Sequence, residues 1–292
     1  MIAVGERIPR ERVPHERLRT ALLVVLAIVA VFIIIFPFLW ILLSAFREPN
    51  GFLSFKLSHE FPTSFYLGNF RRVLTQTSLL RWIGNSALVA TSTTLLSLGI
   101  SGPAAFALAR LKFRGRSAVN VFLVLAYAVP SITIVVPLFV VLVKLHLNDT
   151  FYGLIIVHAS FTIPFVTWVL TDFYRGIPAD MEAAGYVDGA SLLRVLWHIV
   201  FPLSIPAVLA AGAYAFILSW NDFLFALVIM NSDAHFTAPV GIRAFFTGNG
   251  MTEVTWAELM AASVLVTLPS VTLFALLQRY VRAGFLSGAV KG

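Results

Sequence analysis

Three groups of residues in this 292-residue chain stand where their side chains can do chemistry. Asn221 and Asp222 interrupt an apolar run that otherwise extends from Ile205 to Met230. An ionised carboxylate at the middle of a hydrocarbon layer costs on the order of 3 kcal/mol even on mild insertion scales. Both side chains should therefore face protein or water, either along a polar path or as an interhelical hydrogen-bond lock. His158 stands in a second apolar run, Tyr152 to Thr171, with no acid at helical spacing beside it. It reads as a packed, satisfied histidine rather than a proton relay. The third group is the polar stretch 172–201, too polar to cross a membrane, which carries Glu182, Asp188, Gly189 and Ser191 between two of the apolar runs.

Other chemistries find no residues to carry them. The chain has no cysteine, which excludes disulfides, thiolate metal sites and cysteine nucleophiles. No GxxxxGK[ST] phosphate loop, HExxH zinc motif or GxSxG nucleophile elbow occurs in the sequence. The chain reads as no enzyme, with no catalytic residues, no metal and no cofactor of its own.

The elements that must position these groups are membrane helices. The residues are 59% hydrophobic and only 12% charged, against roughly 25% charged in an ordinary soluble domain, and the mean hydropathy is +0.89. A helical crossing needs about 20 apolar residues. Six runs qualify: Ala21 to Ala45, Ile83 to Leu108, Ala118 to Val143, Tyr152 to Thr171, Ile205 to Met230 and Glu258 to Leu277. The expected fold is all-α and integral to the membrane, with tails at 1–20 and 279–292 around a membrane domain at 21–278. The first run is too long for a signal-peptide core and lacks a convincing small-residue cleavage site.

Most of the Lys and Arg residues fall in the two tails, in the short loop Arg110, Lys112, Arg114, Arg116, and beside the stretch 172–201. By the positive-inside rule these segments, and both termini, are cytoplasmic. The net charge of +7 is spread between apolar runs and forms no stripe for a nucleic acid. Pro37, Pro130, Pro137 and Pro164 each remove a backbone hydrogen bond that lipid cannot replace. Their spans belong in a bundle. Small residues such as Gly99, Ser101, Gly102, Ala104 and Ala105, or Ala207, Ala210, Ala211, Gly212 and Ala213, suit close helix approach.

The stretch 172–201 reads as two short helices. Pro178 suits a first helical turn, with Asp180 and Glu182 near the positive end of the helix dipole. Gly189 can end that helix in a left-handed conformation, and Ser191 can cap a second whose Leu192, Leu193, Leu196 and Ile199 share one face. Such a pair is a natural docking knob.

The run Glu182-Ala183-Ala184-Gly185-Tyr186-Val187-Asp188-Gly189-Ala190-Ser191, followed by Ile199-Val200-Phe201-Pro202, resembles the EAA loop of ABC-importer permeases. The spacing from Gly189 to Ile199 and Pro202 fits that pattern, while Glu182 stands one place early and Ala183 occupies the glutamate position. Further runs resemble the carbohydrate branch, the MalG-like permeases: Phe36-Pro37-Phe38-Leu39-Trp40, Ala107-Leu108-Ala109-Arg110, Ser219-Trp220-Asn221-Asp222-Phe223-Leu224 and the C-terminal Gly284 to Gly292.

The resemblance implies a type I importer permease fold with cytoplasmic coupling helices. It implies a second homologous permease subunit, an ATPase dimer that binds ATP and Mg, and an extracytoplasmic sugar-binding protein. The implied ATPase contacts are Glu182, Ala183, Ala184, Gly185, Asp188, Gly189, Ala190 and Ser191, with Gly288, Ala289, Val290, Lys291 and Gly292 of the tail. Trp220 would offer a stacking face to a sugar beside Asn221 and Asp222, as substrate path or gate. The alternatives are a permease for glycerol phosphate or another small solute, a stand-alone secondary transporter, and a membrane scaffold without transport.

Overall fold

The computed structural model describes residues 14–48, 65–247 and 256–289, with side chains over 18–48, 65–247 and 256–278. The elements are α1 (Pro14–Ala45), α2 (Gly68–Gln76), α3 (Leu79–Arg110), α4 (Arg116–Ala128), α5 (Ser131–Lys144), α6 (Phe151–Gly176) and α7 (Ala179–Val187). There follow α8 (Leu192–Val195), α9 (Phe201–Leu203), α10 (Ile205–Trp220), α11 (Leu224–Ile229), α12 (Ala238–Thr247) and α13 (Trp256–Ala289). A wide π turn, Leu196–Val200, joins α8 to α9.

Among the described residues four helices are long and apolar enough to cross a membrane, and the number is six where each of two bent pairs, Arg116–Ala128 with Ser131–Lys144 and Leu192–Leu203 with Ile205–Trp220, counts as one span. The six apolar runs are thus all helical, as their composition requires. Helix α1 begins at Pro14, within the segment read as a tail, and α13 continues to Ala289. Hydropathy does not register polar terminal turns.

Two spans are not the continuous helices expected. The run Ala118 to Val143 is divided into α4 and α5, bent by 98°. Pro130 has no N–H and its ring disfavours a helical residue before it; Val129 accordingly takes an extended conformation, φ −70° and ψ 123°. The run Ile205 to Met230 stops at Trp220, and Asn221–Phe223 turn the chain before α11. The Asp222 carboxylate accepts hydrogen bonds from the backbone N–H groups of Phe225 (3.4 Å) and Ala226 (2.9 Å). It starts a new helix by satisfying donors that the old one would have satisfied itself.

Helices α3, α6 and α10 form the centre. The α3–α6 seam is sealed by hydroxyls: Ser97 meets Thr162 at 2.6 Å, Thr167 donates to Ser101 at 2.9 Å, and Ser101 donates to the carbonyl of Ile163 at 3.2 Å beside Pro164. Ala207, Ala211, Gly212 and Ala213 are buried as close packing requires, but Gly99 is exposed and faces away from the seam. Helix α1 packs on α13 and leaves its apolar side chains exposed, a surface suited to lipid.

The Leu79 end of the bundle is tied by polar side chains. Asn69 Nδ2 donates to the carbonyls of Ala45 and Arg47, Arg72 pairs with Glu258 at 3.1 Å, and Arg81 pairs with Asp233 at 3.6 Å. In the turn between α5 and α6, Asp149 adopts φ 53°, a left-handed conformation that aspartate tolerates better than most residues. Its Oδ1 accepts from the N–H groups of Asn231 (2.8 Å) and Ser232 (3.2 Å), and its Oδ2 lies 3.2 Å from His235 Nδ1.

Burial pushes the Asp149 carboxyl up, but these donors outweigh it and hold the group below the ordinary carboxylate range. A depressed carboxyl contributes stability above its unfolded pKa and loses it as pH falls through the folded value. The detergent-solubilised protein should therefore lose thermal stability as the pH is lowered from about 6 to about 3, and Asp149→Asn should flatten that part of the profile. An unchanged profile in the variant would show that the latch contributes nothing.

Candidate functional site

The two breaks in the spans face one another across a cavity of about 370 Å³. Val129 and Ser131, on either side of the Pro130 bend, line one wall, and Asn221 and Asp222, at the break after α10, line another. Broken helices leave backbone groups that hydrocarbon cannot satisfy, so they are tolerated at membrane depth only against protein or a water-filled space. The remaining lining is aromatic and apolar: Tyr127 from α4, Phe161 from α6, Tyr214 and Leu218 from α10, and Phe225 from α11.

His158 joins this site, against the expectation of an isolated packing residue. Its Nδ1 lies 2.7 Å from Ser219 Oγ and its Nε2 lies 3.2 Å from Asp222 Oδ2. The imidazole is almost fully buried and the carboxylate nearly so, with side-chain exposures of 1% and 12%. The acid absent from its own helix comes from another element, 64 positions along the chain. Residue spacing within one helix cannot reveal such a pair.

Trp220 does not face the cavity. Its ring is buried, stacked on Phe216 with centroids 5.6 Å apart, and its Nε1 donates to the carbonyl of Val266 on α13 at 3.2 Å. It is an interhelical anchor, and the reading of Trp220 as a stacking platform fails. The rings available to a solute are Tyr127 and Tyr214, with hydroxyls 3.5 Å apart, and Phe161 and Phe225, packed on each other at 5.0 Å. Aromatic residues were so abundant in the apolar runs, with 26 Phe in the chain, that nothing marked these four beforehand.

At the opposite end of α6 the polar stretch folds as two short helices. Pro178 stands just before α7, Asp180 and Glu182 occupy its first turn, and Gly189 has φ 76°. Ser191 occupies the position before α8 in an extended conformation, but its hydroxyl makes no capping hydrogen bond. The inward face of the second helix is also displaced from that expected: Val195, Leu196 and Val200 are buried, while Leu192 and Leu193 are exposed. Val195 and Ile199, four positions apart, are the side chains that meet α7 at Gly185, which sets this face inward and leaves Leu192 and Leu193 outside.

The candidate coupling residues divide into two sets. Glu182, Gly185 and Ala190 turn inward; Ala183, Ala184, Asp188, Gly189 and Ser191 are exposed. Arg110, at the end of α3, reaches Glu182 Oε1 through Nε at 2.6 Å and the carbonyl of Ile177 at 2.8 Å. The sequence marked Arg110 as part of a basic loop and of a run that resembles the carbohydrate permeases, but assigned it no partner. Gly185 is the point of closest approach between the two helices: a Cβ there would lie 2.5 Å from Ile199 Cδ1.

The outward side carries an apolar tip, with Val187 87% and Leu193 64% exposed beside Met181, Tyr186 and Trp197. Gly288 and Ala289 fall in the last turn of α13, and Val290, Lys291 and Gly292 lie outside the described residues. Among the described residues no cluster of His, Asp and Glu is arranged to hold a metal ion.

Residues 98–286 match the family described as the inner membrane component of binding-protein-dependent transport systems. A trehalose/maltose transport system permease protein of Thermococcus litoralis is 35% identical over 280 residues, covering 95% of this chain and 99% of that one. A trehalose transport system permease protein of Mycobacterium tuberculosis is 34% identical, covering 88% of this chain and 92% of that one. In fold, the chain is similar to one in the crystal structure of a bacterial ABC transporter that imports the acidic polysaccharide alginate, with a TM-score of 0.79, 20% identity, and 92% and 98% of the two chains covered. With its helical crossings, paired breaks and protruding helix pair, the chain belongs to the binding-protein-dependent transport system inner membrane component family, as a multi-pass permease of the inner membrane.

Proposed function

We propose that this chain is the permease subunit of an ATP-driven importer and forms part of the translocation path for a sugar delivered by an extracytoplasmic binding protein. The observation that carries the reading is the helix pair α7–α8: an exposed apolar tip outside the membrane-crossing helices, fixed to α3 through Arg110 and Glu182. An apolar surface of this kind, rimmed by polar residues, is the mark of a protein interface. Its partner in this reading is one subunit of an ATPase dimer carrying ATP and Mg. The exposed residues Ala183, Ala184, Asp188, Gly189 and Ser191 make the contact, and the C-terminal segment Gly288 to Gly292 adds to it.

The Arg110 end is then cytoplasmic. Lys112, Arg114, Arg116, Arg175 and Arg194 lie at or near that end, as the positive-inside rule requires. Helix α1 starts and α13 finishes there, so both termini are cytoplasmic and the Asp149 latch is extracytoplasmic. A second homologous permease completes the path. Sugar as the solute class rests on the relatives named for trehalose and maltose, and Asn221 and Asp222 stand on the path.

Reconstitution of the full complex with its binding protein in liposomes tests the reading directly. Uptake should require both ATP and the binding protein, and solute entry independent of ATP would overturn it. Glu182→Gln keeps a hydrogen-bond acceptor for Arg110 but removes the charge. Solute imported per ATP hydrolysed should fall about tenfold, the rate equivalent of about 1.4 kcal/mol, with Glu182→Asp intermediate. A Glu182→Gln complex of normal stoichiometry and undiminished uptake would rule out the Arg110–Glu182 strut as part of the coupling.

A further inference from the structure

We infer that the cavity at the two broken spans is a solute subsite contributed by this chain itself, built for an uncharged hydroxylated ring and unfavourable to anionic solutes. The inference rests on the importer reading and deepens it. The volume of about 370 Å³ lies within the 300–1,000 Å³ common to small-molecule sites. Tyr214, Phe161 and Phe225 line it with aromatic surface for the C–H face of a ring, and Tyr127 and Tyr214, with hydroxyls 3.5 Å apart, are both in the lining.

Asn221 is exposed at the end of α10 and lines the cavity, with a side-chain amide that offers both donors and an acceptor. Ser131 adds a hydroxyl beside the bend. These are the groups that exchange hydrogen bonds with hydroxyls.

Charge sets the selectivity. Among the described residues no Lys or Arg lines the cavity, and the one carboxylate in the lining is Asp222. Among the described residues of the lining, the imidazole beside that carboxylate is His158, whose two ring nitrogens already face Ser219 and Asp222. An incoming phosphate or carboxylate would meet the Asp222 carboxylate at short range in a space of low dielectric and find no cation to neutralise it. A neutral ring meets no such cost.

The chain has no native cysteine, so a single introduced thiol reports on one position. The full complex, co-expressed with its own partner subunits, would carry Asn221→Cys or Ser131→Cys, with Gln76→Cys, exposed on α2, as the control. Labelling by a small neutral maleimide would be timed with trehalose, with glucose 6-phosphate, and without solute. Trehalose should slow labelling at 221 and 131 at least about fivefold, the scale of one aromatic contact, and leave position 76 unchanged. Glucose 6-phosphate should protect little, and adding Asp222→Asn should narrow the gap between the two solutes.

Equal protection by both solutes, or none, overturns the subsite. So does a thiol at 221 that stays unreactive while position 76 reacts, because the cavity is then filled by a neighbouring subunit. ATP-driven uptake measured on the complex that carries the unsubstituted chain, with labelling read on this chain after its separation from the partner subunits, separates the two ideas. Uptake without protection removes the subsite alone, whereas protection in a complex that shows no ATP-driven uptake removes the importer reading alone.

Discussion

Hydrocarbon offers no hydrogen bonds, so each backbone or charged group that leaves a regular helix inside the membrane must find its partner within the protein or in a water-filled cavity. The central seam meets this constraint with hydroxyls. Ser97, Ser101, Thr162 and Thr167 are all buried and all bonded, either across α3 and α6 or to their backbones. Interhelical hydrogen bonds in membranes are individually modest, on average about 0.6 kcal/mol, so the seam gains register more than strength. The same demand decides where the chain can break. At Asn221–Phe223 the freed donors are met by Asp222, whose Oδ2 lies 3.2 Å from His158 Nε2. One carboxylate thus ends a helix, starts another and holds a third.

At the far end of α3 and α6 the constraint takes another form. Arg110 is turned back toward the bundle instead of outward to water, and it joins the end of α3 to both α7 and the carbonyl of Ile177. Three elements meet on one guanidinium, whose planar fork can serve two acceptors at fixed angles where a lysine ammonium would not. The π turn beyond α8 and the tight approach of Ile199 to Gly185 complete a compact body under the bundle. Its exposed side is apolar and its buried side is tied to α3, an arrangement suited to receiving force from outside and passing it inward.

Much of the fold was legible because it follows from hydropathy alone. All six apolar runs are helical along most of their length, Pro178 and Gly189 bound α7 as their backbone preferences dictate, and the polar stretch 172–201 holds two short helices, α7 and α8. What stayed hidden depends on contacts between distant residues. Pro130 was visible, but a proline in an apolar run can be absorbed, as Pro164 is within α6, or can break the helix, as Pro130 does; the neighbours that decide this lie elsewhere in the chain. The His158–Asp222 and Arg110–Glu182 pairs join different helices and leave no local pattern. Trp220 was misleading because its position beside two polar residues suggested the cavity, whereas a helical step of about 100° turns it to the other side of α10.

Both candidate surfaces are carried by α6, and this explains how a force at one can reach the other. Its first half presents His158 and Phe161 to the cavity, and its last turn ends at Gly176, three residues before α7. Were α6 free to slide along α3, displacement of α7 would be lost in the seam. The hydroxyl contacts at 97, 101, 162 and 167 oppose that sliding, and Arg110 fixes α7 to the end of the same partner helix. Helices α3 and α6 therefore move as one body with α7. The deformable points are left at Val129–Pro130 and Asn221–Phe223, where no continuous hydrogen-bond ladder resists bending, and both lie on the cavity wall. In the importer reading, displacement of the loop would accordingly be taken up where a solute would sit, and the shape of the cavity would be the quantity that the loop controls.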